Sequence, residues 1–200
     1  IGTGAGTVDD PGDMMIIGNT TPRYSYSFRI EASWNGFDIS AFFQGVGKRD
    51  WYPTANKDDI YGANQFWQLY GYTIPSFITY DFMDDVWSEQ NLGGYFPRLR
   101  PIQSYNGGPL GQNNDRYLQS VAYLRFKNLT IGYTLPVLKK YLSKLRIYVS
   151  GENLCYWSPL KKHCKLIDPE LAISSGTYKG GTGTGYTMPR TFSFGVDITF

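Results

Sequence analysis

Three groups of side chains in this sequence could do chemistry. Carboxylates come in pairs at Asp9-Asp10, Asp58-Asp59 and Asp84-Asp85, as an acid/base couple or a cation site would need. A hard cation takes about six oxygen ligands, and no pair sits in the spaced Asp-x-Asp-x-Asp-Gly loop that supplies them. The pairs read as solvated loop charges. Cys155, His163 and Cys164 offer three ligands for zinc, but the spacing fits no common zinc pattern and a fourth ligand is missing. A disulfide between the two cysteines is the preferred reading, with two free thiols close behind. His163 then reads as a surface residue beside Lys161 and Lys162. The sequence has no nucleophile elbow, metal-binding helix or phosphate loop, so we expect no enzyme, no metal and no cofactor.

The third group is aromatic. Between residues 47 and 116 the chain carries Trp51, Tyr52, Trp67, Tyr70, Trp87 and Tyr95, among others. Aromatic faces stack on sugar rings, and Tyr and Trp suit protein interfaces because one end is apolar and the other hydrogen-bonds. These six are the candidate contacts for a substrate or a partner. A loop of that length must also pack a small core of its own to stay ordered, and for any single aromatic that structural role is favoured.

The elements that must hold these loops are strands. With 23 Gly, 17 Tyr and 12 Phe in 200 residues, the composition points to β structure with long loops. The net charge of +2 and the lack of a basic stripe interleaved with aromatics argue against a nucleic-acid surface. The longest apolar run, residues 14 to 17, is far short of the roughly 20 residues of a spanning helix. Residues 24 to 34 alternate apolar and polar, Asn35-Gly36 intervenes, and 37 to 46 alternate again. This is a hairpin on a type I′ turn, with both apolar sets on one side. A third strand near 119 to 135 shifts its apolar phase at Lys127-Asn128, as a bulge would make it do. Pro136 ends it, a helical turn or two is expected in 137 to 144, and strands near 145 to 154 and 190 to 200 follow.

The links between strands alternate short and long: Asn35-Gly36, then 47 to 116, then 136 to 144, then 155 to 189. Outer-membrane barrels have short periplasmic turns and long extracellular loops, so the two long links are placed outside. Arg29, Glu31, Asp38, Arg146, Glu152 and Asp197 would then line a hydrated lumen. The alternative is a secreted β-sandwich that holds carbohydrate with its aromatic loops. A barrel turns Tyr24, Phe28, Ile30, Phe37, Ile39, Phe194, Val196 and Ile198 toward lipid, whereas a sandwich buries them. Five strands do not close a barrel, for which about eight is the practical minimum. With no initiating Met and no signal-peptide pattern, the chain is expected to be the tail of a larger protein.

Several stretches then resemble one family. GDMMIIGNTTPRYSYSF (12 to 28), FDISAFFQGVGKRDWYP (37 to 53), YLRFKNLTIGYTLP (123 to 136), LRIYVSGENL (145 to 154), IDPEL (167 to 171) and MPRTFSFGVDITF (188 to 200) resemble, in order, the C-terminal end of the SusC/RagA-like TonB-dependent outer-membrane transporters of Bacteroidetes. The resemblance implies an all-β fold: about five C-terminal antiparallel strands of a large transmembrane β-barrel, with long extracellular loops and with the plug domain outside this stretch. It implies a barrel of about 22 strands in the lipid of the cell outer membrane, importing glycans or peptides. The implied partners are a SusD-like lipoprotein over the mouth and the TonB system, reached through the missing N-terminal part. It also implies that Phe194, Val196, Ile198 and Phe200 on the last strand form the signal read by barrel-assembly machinery.

Overall fold

The computed structural model describes residues 7, 9–12, 14–52, 81–96, 98, 114–136, 142–165, 167–172 and 188–200. The Asp58-Asp59 pair, Trp67, Tyr70 and most of the helical turn expected after Pro136 lie outside them. Among the described residues seven strands form: β1 (Tyr24–Trp34), β2 (Phe37–Gly47), β3 (Asp50–Trp51), β4 (Gln119–Ser120), β5 (Tyr123–Leu135), β6 (Lys144–Trp157) and β7 (Thr191–Thr199). Five make one antiparallel sheet in the order β1-β2-β5-β6-β7, and β3 pairs with β4 in a separate ribbon.

Asn35 (φ 48°) and Gly36 (φ 86°) both take the left-handed region, as a type I′ turn requires. Trp34 pairs with Phe37 across the turn, and Thr134 N donates to Gly36 O at 2.7 Å, tying the turn to β5. Where the apolar phase of β5 slips, Phe42 faces Asn128 and Phe43 faces Phe126, leaving Lys127 as the extra residue. β6 carries a matching irregularity. Asn153 turns to φ 51°, and the register passes from Glu152 opposite Asn128 to Cys155 opposite Phe126. The strand therefore runs on to Trp157, past the point where its alternation stops.

This register puts every apolar set on one face. Ala32, Ile39, Ile131, Val149 and Phe194 line up in a single row across all five strands. Phe28, Phe43 and Phe126 stack in another, with centroids 4.9 and 4.5 Å apart. Nothing among the described residues covers this face: Ile39 is 40% exposed, Ile131 47%, Val149 52% and Phe194 70%. The sandwich alternative would bury this set under a second large sheet, and the described residues supply only the two-residue β3–β4 ribbon.

The other face is polar. Arg146 on β6 reaches across β5, donating from Nε to Asp38 Oδ1 at 2.9 Å and from Nη2 to Asp38 Oδ2 at 2.6 Å. Its Nη1 donates to Asp197 Oδ2 on β7 at 3.1 Å. The fork crosses directly above Gly132, where a β-carbon would lie 2.5 Å from Arg146 Nη2 and 2.6 Å from Asp38 Oδ1. Three strands, β2, β6 and β7, are thus linked by one guanidinium that crosses β5 over one missing side chain.

The hydrophobic core lies beyond the end of the sheet, where the long links are. Trp51, Tyr52, Val86, Phe96, Tyr117, Val121, Leu160, Cys164 and Ala172 pack there as a small cap.

Candidate functional site

The cap is joined to the wall by the IDPEL stretch. Pro169, fully buried, holds its own φ fixed, and Asp168 organises the turn around it. Asp168 Oδ1 accepts from Glu170 N at 3.0 Å, and the Asp168 carbonyl accepts from Leu171 N and Ala172 N at 3.0 and 3.1 Å. Asp168 and Glu170 thereby point the same way, onto the polar face of β5 above its bulge.

Arg125 meets them there. Its Nη2 is bonded to Asp168 Oδ1, and the two side chains are only 2% and 3% exposed. Its Nε stands 3.1 Å from Glu170 Oε2, within range of charge attraction but off the line of a hydrogen bond. The guanidinium lies 4.8 Å from the Tyr156 ring centroid. Lys127, the extra residue of the bulge, brings Nζ to 2.9 Å from Glu170 Oε1, and Tyr123 Oη donates to the same oxygen at 2.9 Å. Two cations and two carboxylates balance in a site nearly closed to water. Burying charge is costly unless it is paired and hydrogen-bonded, and here each charge is met. The bulge makes this possible, because it places Arg125 and Lys127 where both reach one loop.

A second set of contacts ties the loops to one another. The Tyr95 and His163 rings stack at 3.6 Å and 10°. His163 Nδ1 lies 3.2 Å from Asp85 Oδ2, and Lys165 pairs with Asp81. Tyr95 Oη accepts from Gln119 Nε2 at 2.8 Å and donates to the Arg116 carbonyl. Burial raises the pKa of the Tyr52 phenol to about 12 and pushes the Tyr95 phenol up as well. The Cys164 thiol is likewise raised to about 12 by burial, so it stays protonated and is a poor nucleophile. Among the described residues no cluster of three or more His, Cys, Asp or Glu comes together to hold a metal. The arrangement is chemically a brace: it fixes loop backbone over the polar side of a sheet.

No protein-family model matches the chain. TonB-dependent receptor P3 of Formosa agariphila is 28% identical over 198 residues, which covers 94% of this chain and 17% of that receptor. Among solved structures, the RagAB peptide transporter superposes with a TM-score of 0.58 at 22% identity, over 92% of this chain and 18% of that one. The RagAB peptide importer in its closed-closed state gives 0.58 at 21% identity, over 95% and 18%. The sheet has the fold of the matching part of the RagAB peptide transporter. The chain spans less than a fifth of the length of the proteins it matches.

In this sheet and its cap the residues singled out from sequence fall into separate places. Trp51 and Tyr52 are buried in the cap core; Asn114 Nδ2 donates to Tyr52 Oη at 3.0 Å. Trp87 and Tyr95 stay partly accessible, Tyr95 with one face under His163. Phe194, Val196 and Ile198 stand exposed on the apolar face of β7, and Phe200 follows the strand, 90% exposed.

Two expectations are corrected. Cys155 and Cys164 are free thiols, because Cys155 faces Phe126 within the wall while Cys164 belongs to the cap core. His163 is not a loose surface residue: its side chain is 15% exposed and held between Tyr95 and Asp85. The brace of Arg125, Lys127, Asp168 and Glu170 was not assigned from sequence. Its one signal is an arginine at a polar position of β5 together with the Asp-Pro-Glu of IDPEL, 43 residues away, and alternation says nothing about such a pair.

Proposed function

We propose that these strands are the C-terminal part of an outer-membrane TonB-dependent importer of large nutrients, glycans or peptides, working with a SusD-like lipoprotein at its extracellular mouth. The TonB system would drive it through parts of the protein outside this stretch. The observation that carries this reading is the uncovered apolar face. An 11-residue strand such as β1 rises about 3.3 Å per residue and, tilted about 45°, covers roughly 25 Å of height. That is about the height of the apolar band of an outer-membrane barrel. Tyr24 and Tyr26 stand at one end of β1 and Trp34 at the other, as interfacial aromatic girdles do. A contiguous bare apolar face across five strands is far more than a soluble monomer leaves exposed. Within this reading Trp87 and Tyr95 offer partner or substrate contact at the mouth, while Trp51 and Tyr52 support the loops from inside. Phe194, Val196, Ile198 and Phe200 serve as the assembly signal of the last strand.

The test places arginine on either face of the central strand. Ile131→Arg, flanked by Ile39 and Val149 on the apolar face, should cost about 2–4 kcal/mol if the site meets the bilayer midplane and should deplete folded protein in the outer-membrane fraction. Thr130→Arg, on the polar face, should be tolerated. Equal tolerance at both positions, or loss only at Thr130, overturns the reading.

A further inference from the structure

The Asn35-Gly36 pair at the tip of the first hairpin carries a chemistry that the importer reading leaves unused. An asparagine followed by glycine loses its side-chain amide readily, because no β-carbon shields the next backbone nitrogen. Both residues are exposed, and Gly36 N lies between the paired Trp34 and Phe37, outside the ladder. The glycine has no substitute here. At its φ of 86° a β-carbon would lie 2.8 Å from Thr134 O and 3.1 Å from Tyr133 Cε2, and only glycine takes that backbone conformation freely. The turn thus requires the labile pair.

The same turn restrains it. Loss of the amide begins when Gly36 N, giving up its proton, attacks Asn35 Cγ. An N–C bond forms, the Cγ–Nδ2 bond breaks, and Nδ2 leaves with the proton as ammonia; a cyclic imide remains. That ring brings Asn35 Cβ and Gly36 N into one plane, a rotation of the intervening peptide that the left-handed conformation of Asn35, at φ 48°, does not contain. Reaching it swings Gly36 out of two holds, the Trp34–Phe37 pair and the 2.7 Å hydrogen bond from Thr134 N to Gly36 O. The Tyr133 ring supports both, packed on Phe37 with centroids 4.4 Å apart.

We propose that Asn35 is a site of spontaneous hydrolytic modification, gated by opening of the hairpin end. Water opens the imide at either of its carbonyls. Attack at Cγ leaves an aspartate at position 35, and Asp-Gly fits a type I′ turn as well as Asn-Gly does. Attack at the backbone carbonyl leaves an isoaspartate, which adds a backbone carbon to a two-residue turn. Trp34 can then no longer face Phe37 while Gly36 O meets Thr134 N, so this product cannot close the hairpin end again. The inference needs only the turn and water, and it stands whether or not the apolar face meets lipid.

The test incubates the full-length protein in mildly alkaline buffer, folded in detergent or unfolded in urea. Amide loss is followed by peptide mass spectrometry, with isoaspartate separated from aspartate by chromatography. A second Asn-Gly pair, Asn106-Gly107, lies outside the described residues and gives the rate of the unrestrained dipeptide in urea. Asn35 should match it there, and in the folded protein should react about tenfold more slowly, the worth of one net hydrogen bond. Tyr133→Ala should bring the folded rate toward the urea rate, and Asn35→Gly, which also suits the turn, should abolish the reaction. In the isoaspartate fraction the Thr134 amide should lose its protection from hydrogen exchange. Equal rates at Asn35 in the folded and unfolded protein overturn the gate. A folded protein that keeps every Asn35 amide while the unfolded chain reacts to completion overturns the site. Full protection of Thr134 in the isoaspartate fraction overturns the consequence drawn for the turn.

Discussion

Removing Asp168 tests whether the brace organises the loop. Asp168→Ala takes away the partner of Arg125 Nη2 and the acceptor of Glu170 N. Breaking a buried ion pair by deleting one partner costs about 3–5 kcal/mol. Glu170 remains 3.1 Å from Arg125 Nε and can take over part of the charge, which puts Asp168→Ala at the lower end, about 3 kcal/mol. Arg125→Met should cost more, about 5 kcal/mol, because two carboxylates are then left with Lys127 alone. The double variant leaves the neutral Lys127–Glu170 pair and should fall well short of the sum, with a coupling of about 2 kcal/mol or more. The readout is hydrogen exchange by mass spectrometry at Leu171 and Ala172, whose amides donate to the Asp168 carbonyl. A local loss of about 3 kcal/mol speeds exchange there on the order of 100-fold, while the β5–β6 ladder should keep its protection. Unchanged exchange in Asp168→Ala, or a double variant that costs the full sum, would refute the brace.

On the proposed membrane reading, depth should grade the apolar face: Ile198→Arg, at the end of β7, should cost about 0–1 kcal/mol against the larger loss at Ile131, and Asp197→Asn should be mild, both read as folded fraction in detergent. Gly132→Ala sets a methyl group 2.5 Å from Arg146 Nη2 and should destabilise by about 1–3 kcal/mol through overpacking; a thermal midpoint equal to wild type would count against the fork. Without reductant, the denatured protein should titrate two thiols, and in the folded protein at pH 8 Cys164 should resist maleimide until the cap opens. Alkali should loosen the cap. The Cys164 thiol is raised from 9.0 and the Tyr52 phenol from 10.0, each to about 12, so the unfolded chain loses these protons first and stability falls as pH rises from about 9 to 12; intrinsic fluorescence followed through that window checks the sign.

The wall was legible because a sheet writes a period of two into its sequence. Tyr24 to Phe43 alternate around an Asn-Gly pair that accepts two positive φ angles, so hairpin, turn type and facing all follow from local chemistry. The slip at Lys127-Asn128 was visible as a phase error. The last three residues of β6, Cys155 to Trp157, were not, because Asn153 resets the register at the place where alternation fades. Gln119 and Ser120 read as the start of the third strand, yet they pair with Asp50 and Trp51. Loop residues have no period to read. Trp51 looks in sequence like Trp87, and burial separates them only after distant segments have met.

In the sheet each strand pairs only with its neighbours along the chain, while the connections gather at two ends that differ in length. Doubling a flexible loop costs only about 0.6 kcal/mol of closure entropy, so the long-link end can be rewritten in length and composition with little consequence for the ladder below. The brace limits this freedom. A redesigned loop that keeps an Asp-Pro-Glu turn above Arg125 and Lys127 inherits a fixed point of attachment, and one that discards it leaves two cations stranded on the polar face of β5. The junction thus separates a part of the protein that can vary from a part that cannot, and grafting a loop from a relative should succeed or fail according to which side of residues 167 to 172 the splice is made.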